Sequence, residues 1–379
     1  MRAHIDPVLD PVPGWSDFGI GIGNETSPIA SRTFATLFAL LILLASPALA
    51  DDAVMPEGFS EVVFSVSDLE GAAKFYQEVA GWDVAHLANG DAALAKHWGL
   101  AEDQIIRQAL LKNPGDDSGF LRLVAFPGAE QKQMRSSAQT WDTGGIFDVN
   151  VRVLDIHTKF NQFRDRGWQF YSDPIQFTFG PFVVWEVLTK GPDGVVFAMV
   201  ERVQPPLEGW PNVRELSHIF NSTQIVRDFD ASLEFYRDKL GFKIYLEHEG
   251  PSKEPGPNVL ALPHNLAAEI TRKVVILSPD GTNAGSVELI GFDGLTGADF
   301  SGLAAPPNLG ILALRFPVDD LDAYQQRLAD RGIAPINGPS TLTIEPYGEV
   351  EIMTIRSPEG AWLEFYQPHG AGDAPAEEE

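Results

Sequence analysis

Val62-Val63-Phe64-Ser65-Val66-Ser67-Asp68 opens the stretch that decides the fold. It is a β-branched run that ends in an aspartate. Leu69–Val79 continues at helical spacing, carries Phe75-Tyr76, and gives way to Gly81-Trp82. An extended run, an aspartate that can cap a helix start, an amphipathic helix and a glycine stop together spell a strand–helix unit. The same order returns 160 residues later: a strand, Asp228, a helix with Phe235-Tyr236, then Gly241-Phe242. In both copies the aspartate precedes the phenylalanine by seven residues and the glycine by thirteen. The two Phe-Tyr pairs read as core residues of helices packed on a sheet.

A second kind of unit alternates with the first. Val149–Val153, then Asp155, leads to Asp165-Arg166-Gly167; Leu312–Val318, then Asp320, leads to Asp330-Arg331-Gly332. Asp to Gly is twelve residues in each. These units later reach Gly191-Pro192-Asp193-Gly194 and Ser357-Pro358-Glu359-Gly360, turns that introduce the strands Val195–Val200 and Ala361–Tyr366. The chain therefore holds four modules in the order A-B-A-B, beginning near Phe59, Gly145, Leu216 and Leu309. Each A-B pair spans about 150 residues, an ordinary domain size. The expected division is a first domain over 51–204, a proline-bearing linker over 205–214, a second domain over 215–368 and an acidic disordered tail over 369–379.

Composition narrows the function. The chain has 379 residues, 27 Lys+Arg against 53 Asp+Glu, a net charge of -26 and no cysteine. That charge argues against a nucleic-acid partner, because phosphate binding needs a basic stripe. Without cysteine there are no disulfides, thiolate nucleophiles or cysteine metal sites, so any metal must take His, Asp, Glu or neutral donors. The zinc-protease, nucleophile-elbow, dinucleotide and P-loop motifs are absent. Phe34–Ala50 is uncharged; its dense part, Phe34–Ala45, has the length of a secretory apolar region, and Ala48-Leu49-Ala50 forms an A-x-A cleavage signature. Residues 1–50 are therefore expected to be an N-terminal extension and signal peptide cleaved after about Ala50, giving a periplasmic or extracellular protein that meets a membrane only during export. A signal-anchor is the competing reading. Asp6, Asp10, Asp17 and Glu25 make an unusually acidic leader, which points to a translation start downstream of Met1.

The four modules resemble the vicinal oxygen chelate superfamily of glyoxalase I, extradiol dioxygenases and fosfomycin- and bleomycin-resistance proteins. The likeness rests on Asp68…Phe75-Tyr76…Gly81, Asp228…Phe235-Tyr236…Gly241, Asp155…Gly167, Asp320…Gly332 and the closing turns, and covers roughly 57–368. It implies an α+β fold: four βαβββ modules paired into two half-open barrels, each concave face able to hold a divalent metal or a ligand.

That resemblance also implies where ligands stand, on the first and last strands of each module. In the first domain the positions are Glu61, Arg122, Asp148 and Ala198. An arginine there implies a charge-compensated cluster of Glu61, Arg122 and Asp148 and a metal-free cup. In the second domain they are Asn221, Glu288, Ala313 and Glu364. Two carboxylates and an amide leave room for one divalent metal (Mg, Mn, Zn or Fe) on Asn221, Glu288 and Glu364, while the His-His-carboxylate set of extradiol enzymes is missing. Glu288, Glu364 and Arg315 are the candidate catalytic residues, with structural pairing to Arg315 as the plain alternative for either Glu; Trp362 and Tyr366 share the face of Glu364 and are candidate substrate contacts. His218 reads as an ordinary strand-end histidine. Three functions stay open: an exported lyase or isomerase acting on a small oxygenated substrate in the second cup, a non-catalytic binder of the bleomycin-resistance type, or a structural or partner-binding paralogue in which the tandem barrel is only a scaffold. The partners left are a small-molecule ligand and a second copy of the chain, as a homodimer.

Overall fold

Four aspartates start four helices. Asp68, Asp155, Asp228 and Asp320 sit in extended backbone, and each side chain accepts the N–H three residues on, from Gly71, Thr158, Ala231 and Ala323, at 2.9–3.0 Å. The helices end at Gly81, Gly167, Gly241 and Gly332, all left-handed with φ between 71° and 84°. The repeated Asp-to-Gly spacing is thus the distance from an N-cap to a C-terminal glycine stop.

The structure is a computed structural model that describes residues 55–136 and 139–369. The expected signal segment (1–50) and all but the first residue of the acidic tail (369–379) lie outside the described residues. Module one comprises β1 (Glu61–Ser65), α1 (Leu69–Ala80), β2 (Asp83–Gly90), α2 (Ala92–His97), β3 (Ile106–Lys112) and β4 (Phe120–Ala125). Module two comprises β5 (Asp148–Arg152), α3 (Ile156–Arg164), β6 (Gln169–Phe170), β7 (Ile175–Phe179), β8 (Phe182–Lys190) and β9 (Val196–Gln204). Module three runs through β10 (Asn221–Ile225), α4 (Phe229–Leu233, continued by a wider turn over 234–239), β11 (Lys243–Gly250), α5 (His264–Ala267), β12 (Arg272–Ser278) and β13 (Ser286–Phe292). Module four closes with β14 (Gly310–Pro317), α6 (Leu321–Asp330), β15 (Asn337–Ile344), β16 (Gly348–Arg356) and β17 (Trp362–Pro368).

The α+β class and the two half-barrel sheets are as the sequence implies, but the modules pair differently. One sheet has the order β15-β16-β17-β14-β1-β4-β3-β2, and the other β11-β12-β13-β10-β5-β9-β8-β6. Module one therefore closes with module four, and module two with module three. The seams are antiparallel pairings of first strands, with Glu61 opposite Arg315 and Asn150 opposite Asn221. The expectation that 51–204 makes one cup and 215–368 the other is corrected here. All four first strands present an open edge of the same kind, so the repeat itself does not select partners.

Each chain half does pack within itself, through its helices. Phe75 of α1 stacks on Trp168 at 5.0 Å, and Tyr76 lies 5.8 Å from Phe197, tying module one to module two. Tyr236 and Phe242 reach Phe316 of module four by the same logic, at 5.9 and 5.7 Å between successive rings. Tyr76 and Tyr236 are 3% and 0% exposed, so the Phe-Tyr pairs are core, as read from the sequence. The strands cross between halves and the helices stay within them.

If the repeated aspartates are caps, Asp320→Ala should cost about 1 kcal/mol in urea unfolding and Asp320→Asn much less, because asparagine keeps the acceptor. Equal losses in the two variants would contradict the capping role.

Candidate functional site

The two concave faces carry opposite chemistry. In the cup of modules one and four, Glu61 on β1 stands between two arginines. Arg122 on β4 donates to it through Nε and Nη2 at 2.6 and 2.8 Å, and Arg315 on β14 through Nη1 at 2.6 Å. Arg315 also donates through Nε to Glu364 on β17 at 2.6 Å. The chain Arg122–Glu61–Arg315–Glu364 alternates in sign, and all four side chains are 0–1% exposed. Burial alone would raise the Glu61 carboxyl, but Arg122 and Arg315 outweigh it and hold the group below the usual range. Burial likewise opposes the Arg315 charge, and Glu364 and Glu61 reverse that.

This cup is filled. Trp98, which follows α2, donates its indole N–H to Glu364 at 2.8 Å, and Tyr347 donates to Glu61 at 3.2 Å. His97 lies between the hydroxyls of Ser340 and Thr354, and burial, the largest influence, leaves its pKa lowered. Trp362 and Tyr366 are 4% and 3% exposed and belong to the same packed cluster. They are interior residues here, so their expected role as substrate contacts is corrected. Of the expected Glu61–Arg122–Asp148 cluster, the first two meet; Asp148 is on the other sheet, and Arg315 and Glu364 take its place.

The cup of modules two and three is floored by polar side chains in rows. Alternation along β5 sends Asp148, Asn150 and Arg152 to the concave face, with Val149 and Val151 in the core. Strand register sets Asp148, Thr223 and Glu288 side by side on β5, β10 and β13. A second row holds Ala198, Asn150, Asn221 and Ser286. A third holds Glu186 on β8, Val200 and Arg152. The Thr223 hydroxyl donates to Glu288 at 3.0 Å, and the Asn150 amide donates to Asn221, Asp148 and Thr223 at 2.8, 3.2 and 3.2 Å. Apolar walls of Phe147, Leu188, Ile225 and Ile290 surround this floor. Phe179 and His248 meet at 6.0 Å where β7 approaches β11.

Three acids share this cup without a cation against any of them among the described residues. Burial pushes Glu288 up to about 7, although the Thr223 hydrogen bond pulls the other way. Burial raises Asp148 to about 8, aided by Glu288 and opposed by Thr223 and Arg135. Burial and then repulsion from Glu288 and Asp148 bring Glu186 to about 8. Asp148 was assigned from sequence to the other cup, and Glu186 and Thr223 were missed. Glu186 sits on a middle strand, outside the first- and last-strand positions that the resemblance singles out. The polar–apolar alternation of Asp148-Val149-Asn150-Val151-Arg152 was the available signal for this floor.

The relatives agree with this architecture. Residues 215–365 match the model of the Glyoxalase/Bleomycin resistance protein/Dioxygenase superfamily. These residues belong to that superfamily. Among solved structures, a single-substitution variant of glyoxalase I from Zea mays is 14% identical, with a TM-score of 0.58 over 86% of this chain and 97% of its own. Unmodified Zea mays glyoxalase I is also 14% identical, with 0.55 over 82% and 92%. A candidate dioxygenase of Bacillus subtilis is 12% identical, with 0.54 over 84% and 87%. At these identities the likeness is one of fold. No curated protein is similar enough in sequence to count as a relative.

The glyoxalase-like fold raises the question of a divalent metal, and the donor set does not suit one. Asn221 and Glu288 lie in one cup, but Glu364 lies in the other, held by Arg315 and Trp98, so the expected trio cannot share an ion. In the polar cup Ala198 offers no donor, and the Asn221 amide is engaged by Asn150 and Ser286. Among the described residues no three His, Asp or Glu side chains converge where they could hold a metal. Arg315 pairs structurally with Glu364, the plain alternative weighed for it. His218 donates through Nδ1 to the Asp116 carboxylate at 2.9 Å and stacks on Trp210 at 4.8 Å, outside the row of acids.

Two outcomes follow from the contrast. Glu61→Gln removes the anion between two buried guanidinium groups and should cost about 3–5 kcal/mol in chemical unfolding; a loss below 1 kcal/mol, on the order of a surface pair, would refute the buried network. The acids of the other cup act with the opposite sign to Glu61. Their raised folded-state pKa values mean that the stability tied to their protonated forms is complete below the ordinary carboxylate range, and is lost as pH rises through about 7 to 8. The melting temperature should therefore fall between about pH 5 and 8, and Glu186→Gln should flatten that fall. A variant whose pH profile parallels the wild type would contradict it.

Proposed function

We propose that the protein is a glyoxalase-like lyase or isomerase that works in the cup of modules two and three, moving a proton next to a carbonyl of a small oxygenated molecule. The observation that carries this reading is the trio Asp148, Glu186 and Glu288, held between about 7 and 8 on one polar floor. A group poised near neutrality can both take and return a proton at the operating pH. In this reading Glu288, which accepts a hydrogen bond from the Thr223 hydroxyl, is the base that accepts the carbon-bound proton. Asp148, across Thr223 from it, stays protonated at neutral pH and donates to the oxygen where charge develops. Return of the proton from Glu288 to the neighbouring carbon completes an isomerisation, with no net loss of protons.

A second reading is binding without chemistry. The absence of a donor at Ala198 and the engaged Asn221 amide favour it, since they remove the set through which the fold family binds its metal.

Proton abstraction can be read without knowing the product. Pyruvate and hydroxyacetone, incubated with the protein in D2O, should lose the proton signals next to their carbonyls in NMR spectra. Glu288→Gln should slow this exchange by about 10²-fold or more. The wild-type rate should rise with pH through about 7 as Glu288 ionises. Binding of either compound with no exchange would leave the sequestering reading in place of the enzyme.

A further inference from the structure

Arg152 is an anomaly among the buried arginines. It is 6% exposed, at the end of the β5 polar face, and its Nε has no hydrogen-bond partner. Among the described residues no carboxylate lies within ion-pair distance of it. Its guanidinium instead lies over the Phe220 ring, 4.2 Å from the centroid, with Trp210 at 5.5 Å. By contrast Arg122 and Arg315 are each paired with glutamate, and the buried Arg135 donates to the carbonyls of Gly144 and Asp142, although Arg315 Nη2 and Arg135 Nε have no partner.

A second arginine stands beside it. Arg202 lies two residues beyond Val200 on β9, on the same concave face, opposite Val184 of β8. Its guanidinium sits 3.8 Å over the Phe182 ring, and its Nε is also buried without a partner. Burial lowers Arg152 to about 10, and repulsion from Arg202 adds to this. Two like charges, each over an aromatic ring, thus stand in electrostatic range of each other, each with a buried Nε that has no partner. Glu186 does not relieve them: it is in electrostatic range of Arg152, but is itself pushed up to about 8 and is mostly neutral at pH 7.

We propose that Arg152 and Arg202 form an anion-recognition pair in this cup, and that the molecule bound there is a small carboxylic acid carrying a carbonyl or hydroxyl group. A planar carboxylate can bridge two guanidinium edges, and the aromatic faces beneath keep those edges fixed. Placing the carboxylate at Arg152 points the rest of the molecule along β5, past Asn150, towards Asp148 and Glu288. The net charge of the chain would repel such a ligand at long range, which makes a local cationic pair necessary for capture. This inference rests on the polar cup being the binding site.

Calorimetric titration with pyruvate and with its neutral amide, pyruvamide, tests it. Pyruvate should bind the wild type, and pyruvamide should bind about tenfold more weakly or worse, the equivalent of one charge-assisted contact. Arg202→Gln, at a half-exposed position, should weaken pyruvate by a similar factor, and Arg152→Lys should do so while keeping the charge. Equal affinity for acid and amide, an unchanged pyruvate affinity in Arg202→Gln, or no pyruvate binding would each overturn the pair. Ala198→Phe, which fills the middle of the floor, separates this from failure of the cup itself. Binding that ignores the arginines but vanishes in Ala198→Phe sinks only the anion pair; binding that survives both variants removes the cup as the site.

Discussion

The antiparallel pairing of first strands, β1 with β14 and β5 with β10, is the constraint on which the rest of the structure depends. A βαβββ module leaves the edge of its first strand unpaired, with a row of unsatisfied N–H and C=O groups. Joining two such edges satisfies both and curls the combined sheet into a cup. The partner chosen fixes which side chains meet. Because β1 takes β14, Glu61 faces Arg315 directly, and the alternating ion chain can form. Because β5 takes β10, Asp148 faces Thr223, and Glu288 lies one strand further on.

From that common frame the two cups follow different electrostatic solutions. Buried charge is tolerated when each group has an opposite partner and its remaining hydrogen bonds are met. The first cup does this for its charges, with two arginines, two glutamates, the Trp98 indole and the Tyr347 hydroxyl, and leaves only Arg315 Nη2 of that ion chain without a partner. Every charge in this network has an opposite partner. The second cup does the reverse. Asp148 and Glu288 bond amide and hydroxyl groups, and none of the three acids forms an ion pair among the described residues, so they relieve their burial by holding protons. A sealed ionic lattice supports stability and a unique sheet pairing; a set of unpaired acids near neutrality supports chemistry.

Much of the fold was legible in the sequence, because its signals are local. The Asp-to-Gly spacing records cap and stop chemistry that the chain must satisfy whatever it packs against. The same is true of the β-branched strands and the Phe-Tyr pairs. Module partnership was not legible. It depends on contacts between different modules, Asn150 with Asn221 at a separation of 71 residues and Glu61 with Arg315 at 254, and all four edges offer the same backbone groups. The site inherited that error. Arg122 was correctly read as compensating Glu61, since both lie in one module, but Asp148 and Glu364 were exchanged between cups. Glu186 carried no spacing signal and became visible only through the register of β8 on β9.

The segment between the chain halves takes a different part from the spacer its prolines suggest. Ser217 accepts from the Arg152 backbone N–H at 2.8 Å and donates its own N–H back to the Arg152 carbonyl at 3.0 Å. Trp210 and Phe220 form the aromatic bed of that arginine, and His218, stacked on Trp210, is fixed to Asp116 of module one. Asn212 bonds the same aspartate at 2.8 Å. The connector therefore ties module one to the floor of a cup in which module one has no strand. It also removes water from around Arg152, which is what makes an unpartnered guanidinium so receptive to an anion. Fusing the two halves into one chain did more than hold four modules together: the joint supplies one wall of the site.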